Sequence, residues 1–87
     1  MASYKVLIKA SAAKEIEAIS SKRERQRIVA RIRGLTANPR PHGSQKLAGH
    51  RDRHRLRRGP YRIVYAVNDA ALEVVVIKVG HRREVYR

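Results

Sequence analysis

The tract RHRLRRGPYRIVYAV, Arg53 to Val67, restricts the fold more than any other part of the chain. Arg53, Arg55 and Arg57 alternate with His54 and Leu56, so an extended backbone sends three guanidiniums to one side and the less polar groups to the other. Gly59 and Pro60 turn the chain, and YRIVYAV (Tyr61 to Val67) then reads as a β-branched strand. LEVVVIKV (Leu72 to Val79) is another, joined to it by NDAA, which has the length and residue types of a hairpin. Three such strands predict an antiparallel meander with one face apolar and one face charged. That is stable only if something covers the apolar face and leaves the other in water. A face kept merely for solubility mixes both signs. Between Arg51 and Arg62 the only acid is Asp52, so the charged face reads as a binding surface.

The cover comes from the first half of the chain. SYKVLIKA alternates Tyr4, Val6 and Ile8 against Ser3, Lys5 and Leu7, a short strand by its period of two. Ser11 offers an N-cap for a helix that places Ile16 and Ile19 on one face. A second helix opens at Ser21, three residues before Glu24 as in a capping box, with Ile28, Ile32 and Leu35 at helical spacing and Arg25, Arg27, Arg31 and Arg33 around them. ANPRPHGSQ (Ala37 to Gln45) reads as a loop rather than a linker between domains. The expected class is α+β: an N-terminal strand at a sheet edge and an antiparallel two-helix hairpin packed on a small antiparallel β-sheet, one domain over residues 1–87.

Composition narrows the function. The chain has 87 residues, enough for one core and too few for two. Twenty-one Lys and Arg against seven Asp and Glu give a formal charge of +14, which favours a polyanion or an acidic protein as partner. The four aromatic residues are all tyrosine, too few for a platform that stacks several bases. There is no cysteine, and His42, His50, His54 and His81 lack the close spacing and carboxylate company of a metal site. Gly43, Gly49 and Gly59 form no phosphate-loop pattern. No apolar run is long enough to span a membrane and the start lacks the features of a signal peptide, so the expectation is a soluble, unprocessed, cytoplasmic protein needing no cofactor.

KLAGHRDRHRLRRGPYRIVYAV followed by VVVIKVGHRREVYR, after a basic helical hairpin and close to the last residue, resembles the RelE family of the RelE/ParE toxins. The VGHRREVY part points to the RelE branch. The resemblance implies a compact fold like that of microbial ribonucleases and a ribosome-dependent endoribonuclease that cuts messenger RNA in the ribosomal A site. It also implies a cognate acidic, RelB-like antitoxin that holds the toxin inactive and carries the complex to operator DNA, with the 70S ribosome and mRNA as the other partners.

The reaction so implied needs no metal: a 2′-hydroxyl attacks the neighbouring phosphorus, which calls for a proton acceptor, cations for the growing phosphorane charge, and a proton donor for the leaving 5′ oxygen. Arg62 and Arg82 match the family's phosphate-stabilising arginines, and guanidinium is planar, always charged and bidentate toward phosphate. Tyr86 matches a C-terminal tyrosine that either stacks on a base and assists proton transfer or docks on the core edge. Arg53 and Arg55 fall where family members commonly carry lysines. Here the chain departs, because arginine stays protonated and can hardly accept a proton. Either His81, between Gly80 and Arg82, supplies the base, or the ribosome and the charge field lower the 2′-hydroxyl pKa. His81 reads equally as an exposed turn residue, His54 as a packed core residue, and Glu84 as a partner for arginines. Lys46, Arg57, Arg58, Arg83, Lys22 and Arg25 are assigned to the RNA backbone. Two other readings stay open: a ParE-like inhibitor of DNA gyrase without nuclease activity, and a catalytically weakened RNA- and ribosome-binding toxin.

Overall fold

The computed structural model describes residues 3–82. Five strands and two helices follow in the order β1 (Lys5–Ile8), α1 (Ala10–Glu17), α2 (Lys22–Gly34), β2 (Gln45–Lys46), β3 (Arg53–Arg58), β4 (Tyr61–Asn68) and β5 (Glu73–His81). The sheet runs β1-β5-β4-β3-β2, with β3, β4 and β5 forming the expected antiparallel meander. The α+β class holds, with two differences: a parallel pairing that makes the sheet mixed, and one extra strand. β1 lies parallel to β5, from Lys5 opposite Glu73 to Ile8 opposite Val76. Only a tight hairpin forces neighbours to be antiparallel, and here two helices and three strands separate the pair. Gln45 and Lys46, at the end of the expected loop, pair with Arg55 and His54 as a fifth, very short strand.

The helices start differently. Ser21 caps α2 as expected, its Oγ accepting from the Glu24 amide at 3.2 Å. Ser11 does not cap α1. The helix already begins at Ala10, with Lys9 at the N-cap and no side-chain hydrogen bond there. The Lys9 amide is still part of the sheet, donating to Val76 O at 2.9 Å. Strand therefore passes into helix within one residue, and Ser11 already stands two residues past the N-cap.

Ala12, Ile16 and Ile19 from the first helical segment and Ile28, Ile32 and Leu35 from the second meet Leu56, Ile63, Tyr65, Val67, Val74, Val76 and Val79 from the sheet in one core. Residues directly opposite in an antiparallel pair share a face. His54, Leu56, Tyr65, Ile63 and Val79 accordingly all look toward the helices. A register shift between Val64 and Tyr65 leaves Ile77 of β5 unmatched, a bulge that changes the inward positions from Val74 and Val76 to Val79.

The loop after α2 is tied down from three sides. The Tyr65 hydroxyl donates to Pro39 O at 2.8 Å, and His54 stacks on the Tyr65 ring at 5.5 Å. Arg40 reaches Asp69 in the β4–β5 turn with both guanidinium nitrogens, at 3.1 and 2.8 Å, and Tyr4 donates to the same carboxylate at 2.6 Å.

Candidate RNA-binding and catalytic face

The side of the sheet away from the helices carries the charge. Along β3, Arg53, Arg55 and Arg57 alternate with His54 and Leu56, and their β4 partners are Ala66, Val64 and Arg62. These residues lie on one face, opposite the core. Arg57 and Arg62 are a directly opposed pair, and on its other side Arg62 faces Gly80 of β5, which adds no side chain. The next row reads Gln45, Arg55, Val64 and Lys78 across four strands. With strands about 4.8 Å apart, the cations stand at fixed intervals rather than on a mobile tail.

Arg62 is held most firmly. It is only 7% exposed, and its Nη1 donates to Gly59 O and to Tyr61 O, both at 3.0 Å. Gly59 has φ +59, the left-handed conformation that glycine takes without penalty, and this aims its carbonyl back at the arginine. The two contacts fix the guanidinium through backbone carbonyls. The same turn receives the end of β5, where the Arg82 amide donates to Pro60 O at 2.8 Å. Arg62 and Arg82 therefore stand at the same end of the sheet, as the strand pairing predicted. Arg55 is braced from the edge by a hydrogen bond to Gln45 Oε1. Arg53 is half-buried and Arg57 exposed.

Several other expected residues lie elsewhere. Lys46 pairs with His54, and Arg58 with Tyr61, so both fall on the helix side. His81 pairs with Tyr61, and the two rings meet edge to face at 6.1 Å, also on the helix side. The pleat thus turns His81 away from the arginine face. Arg25 donates to Ile19 O and, at 3.2 Å, to Ser20 O, so it braces the turn between the helices. Lys22 is exposed at the start of α2. Arg83, Glu84 and Tyr86 lie outside the described residues.

His54 is buried, and burial first, then the charges of Arg40 and Lys46, push its pKa below the usual histidine value. It belongs to the core rather than to the arginine face. Two residues not singled out in the sequence bear on the site. Lys78 shares the arginine face, and its Nζ meets Glu15 Oε2 at 3.2 Å, while Glu15 Oε1 accepts from the Val79 amide at 3.1 Å. Among the described residues no group of three or more His, Asp or Glu comes together as a metal site. No helix among them is long and apolar enough to cross a membrane.

Residues 6–86 match the family described as ParE toxin of type II toxin–antitoxin system, parDE. Among solved structures, the isolated RelE toxin of E. coli is 30% identical with a TM-score of 0.78, covering 95% of this chain and 90% of that one. A double arginine-to-alanine variant of E. coli RelE in complex with a RelBc antitoxin peptide is 31% identical, TM-score 0.74, covering 99% and 92%. The archaeal RelE–RelB complex of Pyrococcus horikoshii is 26% identical with a TM-score of 0.83, covering 95% and 99%. No curated protein matches the chain. A family match over almost the full length, joined to a RelE-like arrangement of every element, establishes what the arginine face suggested: the chain belongs to the RelE/ParE superfamily of toxins of type II toxin–antitoxin systems, as a RelE-type member.

Proposed function

We propose that the protein is a ribosome-dependent endoribonuclease that cleaves messenger RNA in the ribosomal A site without a metal ion, and so inhibits translation. The observation that carries this reading is the shared end of the sheet, where Arg62 is buried on carbonyl contacts and Arg82 is pinned to the same turn. As the 2′-oxygen attacks, charge grows on the non-bridging phosphate oxygens, and a cation that need not reorganise stabilises the transition state more than the ground state. Arg62 and Arg82 take that task. Arg57, Arg55 and Arg53 hold the flanking phosphates in the same register. Since His81 faces the helices, no acceptor role is assigned to the imidazole; the cationic field and the ribosome lower the 2′-hydroxyl pKa so that solvent water takes its proton. Tyr86 is assigned to the scissile base and to proton transfer to the 5′ oxygen, and Arg83 to the RNA backbone.

Lys22 and the exposed arginines of α2 dock on ribosomal RNA, a role for which a charge of +14 exceeds what one scissile phosphate requires. That docking weakens by roughly 0.7 to 0.9 log units per log unit of salt for each phosphate neutralised. The natural inhibitor is an acidic antitoxin of the RelB type, in line with the RelB chains bound to the archaeal and E. coli relatives. Through it the pair would reach operator DNA.

The family description favours a second reading, because it names ParE. A gyrase inhibitor would need the fold but not the arginine pair. Primer-extension mapping of translated messages after toxin induction separates the two. Discrete new 5′ ends within codons, with supercoiling unaffected, are the expected result; intact messages with gyrase blocked would reject the cleavage reading.

A further inference from the structure

β5 has two halves with different partners on its outer edge. From Glu73 to Val76 that edge is covered by β1, and the ladder closes with Lys9 N to Val76 O at 2.9 Å. There β1 ends, because the chain turns into α1 at Ala10. Beyond it, Ile77 is skipped by the bulge, and the next segment, Lys78 to His81, has no strand on its outer side among the described residues. α1 brings a carboxylate to that place. Glu15 Oε1 accepts from the Val79 amide at 3.1 Å and Oε2 meets Lys78 Nζ at 3.2 Å, so one side chain grips two consecutive residues.

Val79 packs into the core and the His81 ring meets Tyr61, so the inner side of this segment is anchored, while its outer edge is met by a side chain. An open groove of about 470 Å³ runs beside it, bordered by Glu15, Ile19, Ser20, Tyr61, Gly80 and His81. Where, among the described residues, no strand pairs with the outer side of β5, the Glu15 carboxylate is what meets its free edge. Three residues past Val79 the chain delivers Arg82 to Pro60.

We propose that Glu15 is a positioning residue for Arg82: its carboxylate takes the place of the missing edge strand on β5 and sets where that strand ends relative to Arg62. This rests on the cleavage reading for its effect on rate, but not for its effect on structure. Glu15 touches neither RNA nor the reacting atoms. A guanidinium displaced by an ångström from the phosphorane costs rate rather than binding, since near-attack geometry is lost while charge is kept.

The test uses the purified full chain and ribosomes programmed with a short message. In Glu15→Ala, amide exchange should speed up at Val79 and also at Arg82, each by about tenfold or more. Single-turnover cleavage should fall by roughly 10- to 100-fold while ribosome affinity stays within about twofold. Glu15→Gln keeps an acceptor for the Val79 amide and should restore cleavage to within about threefold of the parent. If Glu15→Ala fails to fold, Glu15→Asp, one methylene too short to span both contacts, should show the same pattern at smaller amplitude. Faster exchange at Val79 with Arg82 and the cleavage rate unchanged would reduce Glu15 to a stability role and overturn the proposal. If the parent cuts no message, the cleavage reading falls alone, and Arg82 exchange still decides whether Glu15 positions it.

Discussion

At the β4–β5 turn, Arg40 spends its charge on Asp69 through two hydrogen bonds, and Tyr4 completes the carboxylate. At the opposite end of the same strands, Arg62 is sunk beneath the surface with Nη1 on the carbonyls of Gly59 and Tyr61. Both arginines are immobilised by a turn. They differ in the contacts that position them: at Asp69 a carboxylate takes both ends of the guanidinium and makes a clasp between β1, the loop and the turn, whereas Arg62 Nη1 is seated on two backbone carbonyls of its own turn. The same residue type thus serves architecture at one end and, on our reading, chemistry at the other.

The strongest way to break that contrast is to replace Arg62. Arg62→Lys keeps a charge near the site but loses the planar fork, and Arg62→Ala removes the charge as well. Losing one preorganised donor to a developing anion typically lowers turnover by about 100- to 1,000-fold, and that loss is expected in single-turnover cleavage for Arg62→Ala, with Arg62→Lys close behind. Because Arg62 is buried, the alanine variant should also unfold at a lower temperature. Thermal denaturation of both variants separates the effects: a lysine variant less stable than the parent but equally active would show that the buried guanidinium is structural after all.

Arg82→Ala comes next. Arg82 is exposed, and its tie to the turn is made by its backbone amide, which alanine retains. The loss in cleavage should be about 10- to 100-fold with no change in melting temperature. An unaltered rate would leave Arg62 working without its neighbour and would narrow the site to β3 and β4.

How far these assignments could be read in advance follows from which contacts are local. The alternation of Arg53, Arg55 and Arg57, the cap at Ser21 and the turn at Gly59 and Pro60 depend on neighbours in sequence, and they stand as the sequence suggests. The placement of Ser11 and of His81 depends on partners far along the chain. Ser11 loses its cap role to a strand bond that Lys9 makes with Val76. Counting by twos from Val74 and Val76 would put His81 on the arginine face, but the bulge at Ile77 adds one residue and reverses every side chain after it. Lys78 was the available signal: strict alternation would have driven its ammonium into the core, so a slip before it was the cheaper arrangement.

The clasp at the other end gives the smallest expected effects, and they appear in pH rather than in rate. Arg40 first, and then Tyr4, hold the Asp69 carboxyl down to about 2. A carboxylate whose folded pKa lies below its unfolded value adds stability that is complete above the unfolded pKa, near ~4, and is lost as pH falls through the folded one. The melting temperature of the parent should therefore decline between pH ~4 and about 2, and Asp69→Asn should remove that part of the decline while leaving cleavage intact. Tyr4→Phe is the finer probe. It deletes the hydroxyl that donates to Asp69 Oδ1 but keeps Arg40 in place, so the Asp69 pKa should rise only partway toward its ordinary value and the acid limb should move to higher pH without disappearing. Fluorescence-monitored melting at half-unit pH steps would read the displacement. An acid limb that does not move would assign the hold on Asp69 to Arg40 alone and leave Tyr4 as a bystander at the start of β1.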